Sequence, residues 1–445
     1  MFKSEFKRLK FSLSKSEYAE QLNELKNHNQ ALTRLTKQSL ELEPARTATK
    51  TRACPNFNAL QSYARSLFNT LKSGLRCSCE GHAVKLRLEN RSTKVEDDEK
   101  LLESTPFRVI FTYNSTTPAT VLTWKEADIR WIAEKSAGCV SLPSCSQPVF
   151  VPTKLTRRVR FDQIQLQTSS SSSSTVTVTQ QNTTVIAKPT PEEIHDLCKA
   201  ITKLQQPQID MCAGYLLDSL QRKHGIYPLD TPACHSTQKQ DWSAYTLRQV
   251  LTRQAGFSRR LMQHDKFKVA VDLASSVLQL HKTPWLNDNW GDDDVYFVHR
   301  PGAPLSSIYQ HPFIYRKLQS APSRASTLNT TPARSIIRNQ TLFTLGILLI
   351  ELLYGTAIEE LHTPQDRLCQ GTPGPIWCTA ERLVEEEIAF EAGPLYADAV
   401  RRCIRCDFNQ KTSSLDDQDF QQAVFDGVVA PLETTLHRFN GLLQT

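Results

Sequence analysis

The chain has 445 residues, a formal net charge of +7 and 39% hydrophobic residues, with a mean hydropathy of −0.40. That length suits two or three domains of a soluble protein with long polar segments. It excludes a membrane span: the longest apolar run, within 341–354, is too short to cross a bilayer and contains Glu351. Basic residues interrupt every apolar stretch of MFKSEFKRLKFSLSK, so no signal peptide is expected. Twelve cysteines then imply reduced thiols in a cytoplasmic or nuclear protein.

The charge is uneven. Residues 1–90 hold 16 Lys and Arg against 8 Asp and Glu, so the whole basic excess lies in the first fifth. Such an end suits an anionic lipid surface or nucleic acid. Interspersed acidic residues favour the simpler reading of a soluble helical unit and disfavour nucleic acid.

In chain order, Phe2, Phe6, Leu9 and Phe11 alternate with lysines, in a segment that suits a bundle helix or a membrane surface. Residues 16–40 predict an amphipathic helix with Tyr18, Leu22, Leu25, Leu32 and Leu35 on one stripe and Asn29 in the seam. A second helix, at about 56–73, places Leu60, Ala64, Leu67 and Leu71 on one face, with Pro55 just before it. These form a partner-seeking helical module over 1–74. AVKLRLE, FRVIFTY and ATVLTW within 83–124 read as strands, and Arg158–Phe161 as a further short one. Six serines (Ser169–Ser174) and a Thr/Gln/Asn tract make about 165–190 a disordered insertion. Glu192–Leu204 then predicts a helix, and CAGYLLDSLQRKHGIYPLD a hairpin about a polar turn.

Phe267–His281 is a helix apolar over much of its circumference, and TLFTLGILLIELLYG is a buried helix stopped by Gly355. A strand-like Val295–Val298 lies between them. Amphipathic helices are expected at Tyr396–Cys406 and at Phe420–Leu432, the latter ending near Pro431.

The two buried helices, the first ending Leu-His and the second reading L-G-x-L-L-x-E-L-x-x-G, resemble the large helical lobe of protein kinases. Helix followed by hairpin at 192–230 resembles the order in a kinase small lobe. The resemblance implies an α+β, degenerate kinase-like two-lobe fold, with a small lobe over 75–245 and a large lobe over 246–440. It places the His-Arg-Asp positions at Asn287, Asp288 and Asn289, and the metal-binding Asn at Asp294. An amide at the base position cannot accept a proton at neutral pH. No glycine-rich loop, V-A-I-K, Asp-Phe-Gly or Ala-Pro-Glu accompanies these positions, and 299–338 is expected to be loosely ordered.

Asp292, Asp293 and Asp294, with Asp288, could bind magnesium, but a solvated acidic loop is the preferred reading. An atypical phosphotransferase using Asp288 or Asp294 is one alternative function; an anionic-lipid or nucleic-acid module at the basic end is the other. Lys85 and Arg87 read as the solvent face of a strand rather than as phosphate ligands.

LASSVLQLHKTPWL, IRNQTLFTLGILLIELLYG, YADAVRRCIRC and VVAPLE together resemble a family of uncharacterised fungal proteins with a degenerate kinase-like C-terminal half. Members often begin with a helical region related to HeLo-type prion-inhibition and propagation domains, and YAEQLNELKNHNQALTRL resembles the last part of one. The first helices of such a domain are expected to be missing, which argues against membrane perforation. The resemblance implies a pseudokinase-type scaffold, not an enzyme, that works with a protein partner through its N-terminal helices in fungal self/non-self or stress signalling.

Two cysteine patterns complete the reading. Cys77, Cys79 and His82 could supply three zinc ligands, with Cys54, Cys139 or Cys145 as a distant fourth. The C-x-C-x-x-H spacing is unusual, so a structural turn is preferred and no metal or cofactor is expected. Cys403 and Cys406 lie in a helical pattern and read as buried thiols.

Overall fold

In the computed structural model, the described residues are 54–77, 81–91, 106–114, 122–132, 191–203, 211–229, 242–253, 259–287, 289–318, 337–369 and 374–441. Residues 4, 5, 7, 19, 23–34, 36, 37, 79 and 102 are also described. Helices and strands are both abundant, as the α+β expectation requires. Among the described residues, no helix is long and apolar enough to cross a membrane.

Eight antiparallel strands form one sheet in the order β4-β5-β3-β2-β1-β8-β7-β6. They are β1 (Ala83–Arg87), β2 (Phe107–Asn114), β3 (Leu122–Ile132), β4 (Gly214–Leu217), β5 (Lys223–Pro228), β6 (Ser243–Thr246), β7 (Val295–His299) and β8 (Pro312–Lys317). The period of two in β2 sorts its side chains. Phe107, Val109, Phe111 and Tyr113 join the main core, while Ile110 joins Val298 and Phe313 on the opposite face.

Two strand expectations need correction. β3 runs on to Ile132 through KEADIR, which carries too much charge to read as a strand. Its acids are satisfied within the sheet: Asp128 receives Arg108 from β2 at 2.7 and 3.1 Å, and Glu126 receives Arg300 at 2.7 and 2.6 Å. β8 lies inside the segment expected to be loose, because PFIYRK pairs with both β1 and β7. The sheet therefore crosses the boundary expected at 245/246. Arg158–Phe161 and the serine tract lie outside the described residues.

Helix α1 (Phe57–Gly74) is capped by Asn56, whose side chain accepts from the Ala59 N–H at 3.1 Å. Its apolar stripe is the expected one, but it is buried in the main body rather than in a separate N-terminal module. Trp285 Nε1 donates to Ala64 O at 2.8 Å, its ring meets Phe68 edge-on at 5.1 Å, and Gln61 Nε2 donates to Leu278 O at 2.8 Å. Residues 23–34 are helical as expected, with Leu25 and Leu32 exposed.

The short helices α2 (Leu197–Lys203) and α3 (Leu247–Leu251) precede α4 (Gln263–Leu280), in which every residue from Val269 to Leu280 is buried. Enclosure on all sides forces its polar residues to find partners. Asp272 accepts from Asn90 N at 3.2 Å and from Lys268 at 2.6 Å, and Gln279 Nε2 donates to Glu89 O at 2.8 Å. Gln279 also accepts from Arg91 at 2.5 Å, so the residues leaving β1 are bound to α4. α5 (Gln340–Tyr354) shares this core and ends on Gly355 at φ 70, the left-handed stop the sequence predicted.

Beyond α6 (Gly374–Glu386) and α7 (Ile388–Ala392), α8 (Pro394–Arg405) crosses α5 closely because Gly346 has no side chain. A Cβ there would lie 2.7 Å from Ile404 Cδ1 and 3.0 Å from Cys403 Cβ. The final helical expectation is also corrected. α9 (Gln418–Val424) continues through a π-helical turn at Phe425–Val429 into α10 (Ala430–Phe439). Pro431, which cannot donate a backbone bond, falls in the first turn of α10 rather than ending the helix.

Trp285→Ala removes a fully buried ring and its hydrogen bond to the Ala64 carbonyl of α1. It is expected to lower unfolding stability by about 3–5 kcal/mol, measured by urea denaturation. A loss below about 1 kcal/mol would mean that α1 is not seated on Trp285.

Candidate functional site

The segment after α4 begins with buried Trp285 and Leu286, exposes Asn287 and Asn289, and buries Trp290. Asp288 lies outside the described residues. The following carboxylates diverge. Asp292 and Asp293 reach Arg248 on α3 at 3.0 and 3.3 Å. Asp294 receives Arg316 of β8 at 2.7 Å and the Gly291 N–H at 3.2 Å. The solvated-loop expectation therefore holds for exposed Asp293 but not for Asp292, which is buried against its arginine. Arg248 thus occupies the point on which Asp292 and Asp293 converge, and Arg316 takes Asp294 separately.

Beneath the first clamp lies Glu351 of α5, buried and accepting the Ile358 N–H at 2.9 Å. Burial, with Asp292 and Glu359 nearby, pushes its carboxyl up to about 8. A carboxyl raised from the ordinary 4.5 binds its proton in the folded chain between those values and not in the unfolded one. Its stabilising effect is complete below pH 4.5 and disappears as pH rises through 8. Glu351→Gln should remove a stability decline of at most about 1.4 kcal/mol per pH unit across that window, measured by denaturation at stepped pH. An unchanged pH slope would show that Glu351 titrates normally.

Lys85 is not on a solvent face. It is buried on the sheet face away from α1, with its ammonium 4.0 Å from the Trp124 ring centre and 5.1 Å from that of Tyr315. Trp124 in turn stacks on Trp242 at 5.5 Å. Among the described residues no carboxylate pairs with Lys85, and burial lowers its pKa to about 8. Arg87, partly buried, pairs with Glu89. For Lys85, the cost of burying the charge is complete below pH 8 and vanishes as pH rises to 10.5. Lys85→Met should therefore stabilise the fold by about 1–2 kcal/mol at pH 7, less the lost ring contacts. The gain should shrink above pH 8 in thermal melts; destabilisation at pH 7 would mean that the rings outweigh the desolvation.

The residues with the clearest ligand chemistry lie elsewhere. Cys77 and Cys79 are in the turn after α1, His82 directly precedes β1, and Cys198 is in the first turn of α2. One donor atom from each lies within 4.8 Å of all the others. Cys77 Sγ is 3.0 Å from His82 Nε2. Gly81, at φ 91, turns the chain between Cys79 and His82, a conformation that suits glycine. The His82 carbonyl accepts from Leu318 N at 3.0 Å, anchoring the turn to the end of β8. Leu197 packs close to Gly74 at the end of α1, which carries its neighbour Cys198 to the turn.

Burial lowers the His82 pKa. Burial and hydrogen bonding to Cys77 and Cys79 push the Cys198 thiol up to about 12. A bound dication reverses that balance by stabilising thiolates. The three sequence candidates are thus brought together, and among the described residues their partner is Cys198, not Cys54. The Cys54 backbone N–H donates to Gln422 in the helical body, and Cys139 and Cys145 lie outside the described residues. Cys198 follows Cys79 by about 120 positions, too far for any spacing to tie it to the 77–82 turn, and the nearby His195 is not part of the cluster. Cys403 and Cys406 are buried thiols as expected. Cys369 and Cys378 form a disulfide, which corrects the expectation of reduced thiols for that pair: the start of α6 brings their Cα atoms to 6.7 Å.

No curated protein and no solved structure matches the chain. A family model described as a domain of unknown function, DUF7580, matches residues 57–439, a span that begins at the first residue of α1 and ends at the last of α10. The chain belongs to that family.

Proposed function

We propose that the protein is a kinase-like scaffold without phosphotransfer activity, acting through protein contacts in fungal self/non-self or stress signalling in the cytoplasm or nucleus. The observation that carries this reading is the fate of the acids at 292–294. Arg248 neutralises Asp292 and Asp293 and Arg316 neutralises Asp294, where a phosphotransferase needs carboxylates turned toward magnesium. The amide of Asn289 stands at the expected base position and is solvent-exposed. Supporting the kinase-like frame, α4 and α5 share one core, and α2 is followed by the β4–β5 hairpin. The stripe containing exposed Leu25 and Leu32 offers the partner surface.

A thermal-shift titration with ATP, with and without magnesium, should leave the melting point unchanged, since a ligand that prefers the folded state must raise it. Transfer of γ-phosphate should also be undetectable. Magnesium-dependent turnover abolished in Asp288→Ala or Asp294→Ala would replace this reading with an atypical phosphotransferase.

A further inference from the structure

We propose that Cys77, Cys79, His82 and Cys198 form a closed structural zinc site that fastens helix α2 to the turn entering β1. Three sulfurs and one imidazole nitrogen are a common donor set for structural zinc, and four protein ligands leave no open position for chemistry. Ligand atoms about 2.0–2.3 Å from a tetrahedral ion lie about 3.3–3.8 Å apart. The observed limit of 4.8 Å, with the Cys77–His82 pair at 3.0 Å, therefore needs adjustments of about 1 Å or less at each side chain. Soft thiolates favour zinc over magnesium or calcium, which take oxygen ligands.

The site has mechanical sense. Cys77, Cys79 and His82 lie between the end of α1 and the start of β1, where Gly81 turns the chain and Leu318 bonds to the His82 carbonyl. α2 has only seven residues, of which Leu197 and Ile201 are buried. So short a helix is marginal without tertiary anchors. A metal joining Cys198 to the 77–82 turn closes a loop of about 120 residues, and the energy of binding becomes energy of folding. This inference does not depend on whether the protein transfers phosphate.

The test uses the full chain, purified under reducing conditions without chelators and reconstituted with zinc chloride, with metal measured by mass spectrometry. About one zinc per chain is expected, released by thiol modification. Cys198→Ser and His82→Ala should each reduce occupancy at least about tenfold. His82→Cys should keep it, as should Cys212→Ser, whose thiol lies outside the cluster and bonds to the Gly214 carbonyl. Should Cys198→Ser fail to fold, cobalt(II) added to the wild-type chain should give thiolate charge-transfer and tetrahedral absorption bands. Reconstituted wild-type protein without stoichiometric zinc, full occupancy in Cys198→Ser, or cobalt without thiolate bands would each overturn the site.

Discussion

Enclosure of α4 from Val269 to its end is the constraint on which the rest of the structure depends. From Val269 to Leu280 no face of this helix meets water, so its polar side chains depend on partners from within, which Asp272, Ser275 and Gln279 find and the Ser276 hydroxyl does not. Asp272 and Gln279 obtain their partners from residues 89–91, and Leu278 lends its carbonyl to Gln61 of α1. One helix thereby fixes the exit of β1 and the seat of α1, while the C-terminal helices pack on its remaining surface. The family match begins with α1, in keeping with that helix being part of the body.

The same economy of partners shapes the segment after α4. A chain leaving a buried helix toward β7 carries three consecutive aspartates, whose mutual repulsion must be relieved. Arg248, from the helix beside β6, and Arg316, from β8, relieve it from opposite sides. The resulting ion pairs join α3 and β8 to the segment that enters β7. Glu351 beneath them has its carboxyl pKa raised, chiefly by burial and further by the acids nearby.

The cysteine–histidine cluster stands at the other joint of the molecule, where α1 hands over to β1 and α2 approaches. Apolar packing there is modest, with Leu197 and Ile201 the buried residues of α2. A metal-type junction supplies through four directed bonds what a larger core would supply through area. The sheet's far face solves its own problem with aromatic rings around Lys85, an arrangement invisible to a reading that assigns alternate strand residues to solvent.

By itself the sequence determined the elements with strong local signals. The 3.6-residue periods gave α1, α4, α5 and α8. Gly355 marked the left-handed stop of α5, and strand-type residue patterns gave β1, β2 and β7. It also gave three of the four cluster residues, because they sit within six positions of one another. Tertiary structure decided what local pattern cannot encode. β3 tolerates its charges only because Arg108 and Arg300 lie across from them, and β8 is a strand because β1 and β7 flank it. Asp292 is buried only because α3 brings Arg248 to it, and Cys198 becomes the fourth donor because α2 docks at the end of α1. Each of these rests on contacts between residues distant in the chain, and such contacts leave no period, cap or spacing in the sequence to be read.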